Sequence, residues 1–480
     1  MARSPAGLAR PAGASAGADG SSASRSSSPC AQPRFAMADP FPVVPPPLSP
    51  MGTSPSLHCI PPGWPHVLAA IGGVYVTQTI VTGLVTQALP TLLRDAGASL
   101  TVAGLTALLW APWGLRFFWA PHIERWRLPA GQTQRRSRAL VLTGQWLMAA
   151  VLAALGLAGL LLPLTLSAHA PWMLAALLLA ALVAATADVA CDGFAVEQLS
   201  ARWRGWGNAV QVGGSYVGAM LGAGGFLLLA GRLGWPMALC LTAALMALLG
   251  LPMLTLREPA RPACQALAHR PGIAHALRRP ELRTGLALLL LCSAGVRLSL
   301  GMFGPLLLDR GMDLQQVGWV FGTLHLAAGL GGAIVGGLLV RRCPGWRAVA
   351  VAMCCKAIVL AALALAARPD EASSTAFLVA LIGLMFTVMA CLWVALYAAL
   401  MGLASPLQPG VDFTLCQSAD ALLALAGGVL GGWLSQRLGY AACFALAALL
   451  AALAMVRVSH QVKQQARQFQ DSAANAGAAP

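Results

Sequence analysis

Two aspartates combine acidic side chains with an apolar neighbourhood. Asp188 and Asp192 are four residues apart, so a helix would place both carboxylates on one face. An apolar run from Trp172 to Ala187 precedes them, and it reaches the length of a membrane span, about 20 residues, only if it continues to about Asp192. A carboxylate inside a membrane is costly and indicates a functional site. The pair therefore predicts a proton-exchanging site, with Asp188 at depth and Asp192 on the same face.

The residues that follow predict a polar helix face beside a close helix contact. Asn208 and Gln211 repeat at helical spacing, and we interpret both as contacts to a bound small molecule. Small residues at every fourth position let a second helix pack closely in lipid. The glycines with this spacing are Gly214, Gly218 and Gly222.

A stripe of polar residues occurs in an apolar run nearer the N-terminus. Its members are three or four residues apart: Tyr75, Gln78, Thr79, Thr82 and Thr86. They could form hydrogen bonds between helices, or they could line a water-filled cavity. Several polar positions on one face favour the cavity, so Tyr75, Gln78 and Thr82 are candidate binding residues.

Two opposite charges lie inside later apolar runs. Arg297 is too far from either end of its run to reach water easily, so it either forms an internal ion pair or binds an anion. Asp420 is its natural partner or a second proton carrier, and Gln417 on the same helix face is a candidate binding residue. The sequence alone does not separate these alternatives.

Three further features have simpler interpretations. His325 titrates near neutral pH, but a single histidine in a helix is more often a packing residue. We expect Lys356 to extend its ammonium group towards the membrane surface. Trp393 and Tyr397 form an aromatic pair at i and i+4, which favours packing over ligand contact.

The composition is that of a membrane protein. Hydrophobic residues make up 58% of 480 positions, charged residues 10%, and the mean hydropathy is +0.71. A soluble domain has about 25% charged residues. The net charge of +15 lies in short joins between apolar runs, which argues against nucleic-acid binding. The 12 cysteines form no CxxC pair, and neither a metal nor a cofactor is expected.

Twelve apolar runs predict an all-α integral membrane protein with two six-helix halves. We divide the chain into a disordered segment (1–62), a first six-helix bundle (63–257), a central cytoplasmic loop (258–283), a second bundle (284–458) and a cytoplasmic tail (459–480). The runs are 65–89, 99–119, 139–162, 170–192, 208–230, 235–255, 284–306, 315–340, 347–367, 375–402, 412–435 and 438–457.

The distribution of arginine predicts the orientation of these spans. Sixteen arginines lie in joins two, four, six and eight between the runs, and only five lie in the odd-numbered joins. Because positive residues favour the cytoplasmic side, both termini are expected in the cytoplasm.

Several motifs resemble the major facilitator superfamily. The stretch PWGLRFFWAPHIERW at 112–126 is similar to the branch that contains the AmpG muropeptide permease and the acetyl-CoA transporters. The stretches DVACDGFAVEQL and RGWGNAVQVGGSYVGAMLGAGG look most like the RhtX/FptX siderophore permeases. The superfamily carries an acid–arginine pair and a basic cluster after its second span, which the resemblance assigns to Glu124-Arg125 and Arg135-Arg136. Here glutamate replaces the usual aspartate and the spacing is longer. Gating is assigned to Arg116, Glu124 and Arg125.

The resemblance implies a monomeric secondary transporter in the bacterial inner membrane, surrounded by lipid. Its first expected substrate is a ferric siderophore, imported with protons, and the alternative is a muropeptide or another anionic metabolite; efflux is third. An embedded transferase is the main rival class, but Asp192-Gly193 begins its D-G-x2-A-R signature and Val196-Glu197 breaks it. Neither an HExxH motif nor a nucleotide-binding loop occurs, so an enzyme is not expected.

Overall fold

The computed structural model of the protein consists of helices joined by short turns. It describes residues 64–95, 106–162, 169–267, 270–343, 345–368 and 374–477, and these contain no β-strand. The segment 1–62, which the sequence predicts to be disordered, lies outside the described residues.

The first half of the chain is a series of helices interrupted by tight turns. Its helices are α1 (Trp64–Gly83), α2 (Leu89–Asp95), α3 (Ala111–Leu115), α4 (Ala120–Arg127), α5 (Ser137–Leu161), α6 (Ala170–Gln198), α7 (Arg204–Met220), α8 (Phe226–Leu233), α9 (Trp235–Leu249) and α10 (Leu251–Leu254). Single π turns continue α1 into α2 and α7 into α8. Each of these two pairs therefore forms one long rod.

The second half has fewer and longer helices. They are preceded by two short helices of the central loop, and the whole series is α11 (Ala263–Leu267), α12 (Ile273–Arg278), α13 (Pro280–Ser299), α14 (Phe303–Asp309), α15 (Leu314–Trp319), α16 (His325–Arg342), α17 (Trp346–Ala366), α18 (Thr375–Met401) and α19 (Pro409–Gly477). Helix α19 bends at Gly439, whose φ of 83° and ψ of 165° are not helical. Glycine adopts a positive φ without the steric penalty of a side chain.

Ten helices among the described residues are long and apolar enough to cross a membrane. They correspond to eleven of the twelve predicted runs, because Pro409–Gln464 contains the last two. The remaining run, 99–119, begins outside the described residues, and its described part is broken into a 3-10 turn (Thr106–Trp110), α3 and a second 3-10 turn (Arg116–Phe118). Pro112 and Pro121 lie in the first turns of α3 and α4, where the missing N–H is tolerated and a preceding helix is interrupted.

Close packing of α7 against α1 confirms the prediction made from the glycine spacing. A methyl group at Gly218 or Gly222 would overlap the carbonyl oxygens of Val76 and Ile80 on α1. In lipid, where the hydrophobic effect does not drive helix association, such backbone proximity provides van der Waals contact. The polar positions of α7 are thereby held at a fixed distance from those of α1.

Several helix contacts among the described residues join the two halves of the chain. Helix α7 packs against α16 and α18, and α6, α3 and α4 pack against α19, whose first arm is residues 409–438. We call the end of the bundle that carries the joins 128–136, 199–203 and 255–279, together with Arg341, Arg342 and Arg347, the basic end. The contacts of α6 and α7 with the second half bring the acids of α6 towards α19.

The orientation of the basic end is a prediction that reporter fusions can test. Because arginine-rich joins favour the cytoplasm, a reporter fused after Arg138 or Arg279 is expected to be active only inside the cell. A fusion after Arg310 is expected to be active only outside. A periplasmic signal from the Arg279 fusion would contradict the proposed orientation.

Candidate functional site

A buried arginine holds the two aspartates of α6 together. Arg116 is 2% exposed and contacts Asp188 directly, and its Nη2 lies 3.7 Å from Oδ2 of Asp192. The position of Arg116 follows from the 3-10 turn Arg116–Phe118, which ends the short helix α3 beside α6. Both carboxylates therefore face one guanidinium, as their spacing on one helix face predicts. We call Arg116, Asp188 and Asp192 the first-half cluster.

Neutral donors complete the surroundings of these acids. The Tyr75 hydroxyl of α1 donates to Oδ1 of Asp192 at 2.5 Å, and Nε2 of Gln417 on α19 donates to the same oxygen at 3.2 Å. The amide nitrogen of Gln78 donates to Oδ1 of Asp188 at 2.5 Å in the side-chain orientation that satisfies both groups. Asp192 is fully buried. The structure thus brings Tyr75 and Gln78 to the acids.

The first-half cluster also joins the two halves of the chain. Gln417, which belongs to the second half, accepts a hydrogen bond from Arg116 and donates one to Asp192. Its neighbour Ser418 donates to the carbonyl oxygen of Trp113 at 3.3 Å. A change in the charge of the cluster therefore acts directly on a contact between the halves.

A second cluster lies one helical turn further along α19. Arg297 of α13 pairs with Asp420 through Nη2, and its Nε lies 3.3 Å from Oδ1 of the same carboxylate. The guanidinium also stacks on the Trp393 ring, with its carbon 5.0 Å from the ring centroid. The side chain of Arg297 remains 21% exposed, whereas that of Asp420 is 5% exposed. The guanidinium therefore retains access to a ligand.

Aromatic side chains surround the second cluster. The Trp393 and Tyr397 rings lie 5.3 Å apart, and His325 packs edge-on against Tyr216 and Phe386 at 4.9 and 4.3 Å between centroids. These contacts agree with the packing interpretation of His325. Tyr216 belongs to the first half of the chain and His325 to the second, so this ring contact also lies between the halves.

The threonine stripe of α1 makes local bonds. The hydroxyls of Thr79, Thr82 and Thr86 donate to the carbonyl oxygens four residues earlier, at 2.6, 3.2 and 2.7 Å. Among the described residues, none of these three threonines forms the helix-to-helix bond considered for it. Thr82 is half-buried and keeps its acceptor lone pairs for another partner.

Asn208 and Gln211 in the first half of α7 and Thr414 near the start of α19 are buried, and we call these three residues the polar seam. Nδ2 of Asn208 donates to the carbonyl of Arg204 at 2.8 Å and contacts the sulfur of Met401 at 3.3 Å. Asn208 and Thr414 are fully buried and Gln211 is 4% exposed. The side-chain oxygens of Asn208, Gln211 and Thr414 have no hydrogen-bond partner among the described residues. Buried polar atoms normally have one.

A buried charge network closes the basic end, and it corrects the predicted acid–arginine pair. Glu124 pairs with Arg127 at 2.8 Å, not with Arg125, whose Nη2 lies 3.4 Å from the carbonyl of Pro271. On a helix, residues three apart are neighbours and consecutive residues are not. Glu124 also accepts a hydrogen bond from the Gly410 amide, at 3.2 Å, at the start of α19.

Arg127, which the sequence reasoning overlooked, is the centre of this network. It pairs with Glu197 at 2.6 Å as well as with Glu124, and Arg135 lies 3.4 Å from the same Glu197 carboxylate. Burial lowers the pKa of Arg127, but Glu124 and Glu197 outweigh burial and hold that pKa above its ordinary value. The i+3 spacing of Glu124 and Arg127 was the signal available in the sequence.

The position of Lys356 contradicts the prediction that its ammonium group extends towards the membrane surface. It is fully buried, and its ammonium group donates to the carbonyl oxygen of Cys292 on α13 instead of reaching the membrane surface. The lysine lies on the face of α17 that packs into the bundle, so the four-carbon side chain extends towards a neighbouring helix.

Comparisons with known proteins agree with this architecture. The sequence profile of the Major Facilitator Superfamily matches residues 71–411. The anhydromuropeptide permease of Escherichia coli is 26% identical over 380 residues, which cover 77% of this chain and 74% of that protein.

Solved structures with a similar fold are transporters. A bacterial homologue of the iron transporter ferroportin, in an outward-facing state, has a TM-score of 0.60 at 15% identity, covering 83% of this chain and 99% of that one. The fucose:proton symporter of E. coli has a TM-score of 0.61 at 14% identity, covering 82% and 98%. The human organic anion transporter has a TM-score of 0.59 at 19% identity, covering 83% and 100%. At such identities the likeness concerns the fold alone.

Proposed function

The chain belongs to the Major Facilitator Superfamily, and on that premise we propose that it imports an anionic small molecule with the energy of a proton gradient. As a member of this family it is a multi-pass membrane transporter and not an enzyme. We place it in the inner membrane of a bacterium as a monomer with both termini in the cytoplasm.

The observation that carries the proposal is the pair of buried charge clusters between the halves. Gln417 contacts the first-half cluster and Asp420 belongs to the second, and these residues are three apart on α19. In transporters built from two related halves, the substrate site lies between them near the middle of the membrane. A bound molecule at this level would meet Arg297 and Trp393 on one side, and Tyr75, Gln78 and Thr82 on the other.

The first-half cluster is suited to carry the coupling proton. Asp188 and Asp192 share a single guanidinium, so one negative charge is not compensated within the cluster. Two carboxylates that share a site favour the binding of one proton. Because Gln417 bonds both Arg116 and Asp192, proton binding would weaken a contact between the halves.

Release of the substrate requires the basic end to open. The bonds that would break are those of Glu124 with Gly410 and of Asn208 with Met401. The unpartnered oxygens of the polar seam cost about 1–3 kcal/mol each in this closed state. Water in an opened path would satisfy them, so the closed state is not strongly favoured over the open one.

The comparison with the anhydromuropeptide permease favours an anionic muropeptide as the substrate. The carboxylates of such a molecule fit the Arg297 guanidinium. A ferric siderophore is the second candidate, because the half-buried rings of Trp393, Tyr397 and Tyr216 near Arg297 suit an aromatic chelator.

Uptake into energised membrane vesicles tests both candidates. Vesicles from a host without its own permeases would be given radiolabelled anhydromuropeptide, or iron-labelled siderophores, chelate by chelate. We expect muropeptide uptake that collapses with an uncoupler. Uptake of an iron chelate without uptake of the muropeptide would favour the siderophore as the substrate. If neither molecule is taken up, the proposed substrate class is wrong. Vesicles carrying Arg341→Gln, an exposed arginine at the basic end, serve as the matched control.

A further inference from the structure

A buried lysine without an acidic partner lies behind the second cluster. Lys356 is 0% exposed, and no carboxylate oxygen lies within 4.0 Å of its ammonium nitrogen among the described residues. Its bond to the carbonyl oxygen of Cys292 provides one polar contact. A buried ammonium group is costly unless an opposite charge compensates it. The position of Lys356 therefore requires a physical explanation.

The compensating charges nearby belong to the proposed substrate site. Cys292 and Arg297 are five residues apart on α13, and α19, which carries Asp420, packs against both α13 and α17. The Lys356 ammonium therefore lies beside the backbone of the helix that carries Arg297, the partner of Asp420. Exposure falls from 21% at Arg297 to 5% at Asp420 and 0% at Lys356, so the lysine is the least exposed of the three charges.

Counting the charges separates the two clusters. The second cluster, counted together with Lys356, contains two positive charges, Arg297 and Lys356, and one negative charge, Asp420, which gives a net charge of +1. The first-half cluster contains one positive charge, Arg116, and two negative charges, Asp188 and Asp192, which gives a net charge of −1. With all six groups ionised, the excess positive charge lies in the second half of the chain and the excess negative charge in the first.

We propose that Lys356 is a positioning residue that makes the second cluster a net cation, so that it binds the anionic group of the substrate while the first-half cluster takes the proton. Asp420 alone would neutralise Arg297, and Lys356 restores the attraction for an anion without touching it. The bonds to Asp420 use Nε and Nη2 of Arg297, which leaves Nη1 for the ligand. This assignment rests on the proposed transport of an anion.

Binding to the purified full-length protein tests the role of Lys356. With radiolabelled anhydromuropeptide as the probe, or the iron chelate if that is the transported molecule, Lys356→Met is expected to weaken binding about tenfold. Lys356→Arg, which keeps the charge, should bind like the wild type. Lys356→Met combined with Asp420→Asn returns the net charge to +1 and should regain most of the affinity. Unchanged binding by Lys356→Met, or no recovery in the double variant, would overturn the proposal.

A stability cycle decides the charge of Lys356 without any ligand. Asp420→Asn leaves two buried cations uncompensated and is expected to lower the melting temperature, and adding Lys356→Met should recover much of that loss. If the changes in melting temperature of the two single variants simply add in the double variant, Lys356 does not act as a charge beside Asp420. The proposal would then fail. The stability cycle does not depend on the substrate. Wild-type protein that binds neither probe would therefore contradict the proposed function, and the cycle would still test the charge of Lys356.

Discussion

Asp188→Asn is expected to abolish accumulation of substrate against its gradient while leaving substrate binding and exchange intact. In the wild type, two carboxylates share Arg116, and the uncompensated one can exchange a proton. With asparagine at position 188, Arg116 compensates Asp192 completely, and no acid of the cluster needs a proton. Asp192→Asn should behave in the same way, with Asp188 as the remaining partner. A gradient of one pH unit can support about tenfold accumulation for one coupled proton, and both variants should lose it.

Proteoliposomes with an imposed pH gradient separate coupling from binding. The variants are compared in gradient-driven uptake and in counterflow, in which unlabelled internal substrate exchanges for labelled external substrate. Glu281→Gln, an exposed acid in the first turn of α13, is the matched control and should keep both activities. If Asp188→Asn still accumulates substrate and responds to an uncoupler, the proton is carried elsewhere, with Asp420 or His325 next. If the variant fails to reach the membrane, Asp188 has a structural role.

Apolar runs predicted the spans well because a helix in lipid must be apolar along its whole length. Local sequence was less informative where chain geometry changes within an apolar run. Run 99–119 contains Pro112, and its described part forms a series of short turns. The bend at Gly439, in contrast, lies where the sequence already separates runs 412–435 and 438–457. The hydrophobicity of run 99–119 does not reveal its interruption at Pro112, because apolar residues flank this proline.

The site was predictable where partners lie on one helix and was not where they lie far apart. The shared face of Asp188 and Asp192 follows from their spacing, and so do the polar faces of α1 and α7. The pairing of Arg116 with Asp188 joins positions 72 residues apart, and that of Arg297 with Asp420 joins positions 123 residues apart. Such contacts depend on how whole helices pack. Lys356 shows the same limit, because periodicity in a uniformly apolar helix did not reveal which face is buried.

Arg297→Gln is expected to remove substrate binding itself. Arg116 and Lys356 are also buried among the apolar helices, so Arg297 is not the only positive charge there. Arg116 is almost completely buried between two acids, and Lys356 is fully buried, whereas Arg297 is 21% exposed. Arg297 is therefore the cation that an anion can reach. We expect affinity to fall about 10- to 150-fold, since a charged hydrogen bond contributes about 1.5–3 kcal/mol.

A companion variant separates lost binding from lost stability. Arg297→Gln leaves Asp420 buried beside the removed charge, and breaking a buried pair on one side costs about 3–5 kcal/mol. Arg297→Gln combined with Asp420→Asn removes both charges and should melt close to the wild type, yet it should still not bind the anion. Equilibrium binding and thermal melting of the purified variants measure the two effects. Binding that returns with stability in the double variant would mean that Arg297 acts only through its ion pair, and that the anion is held by Arg116 or by a group outside the second cluster.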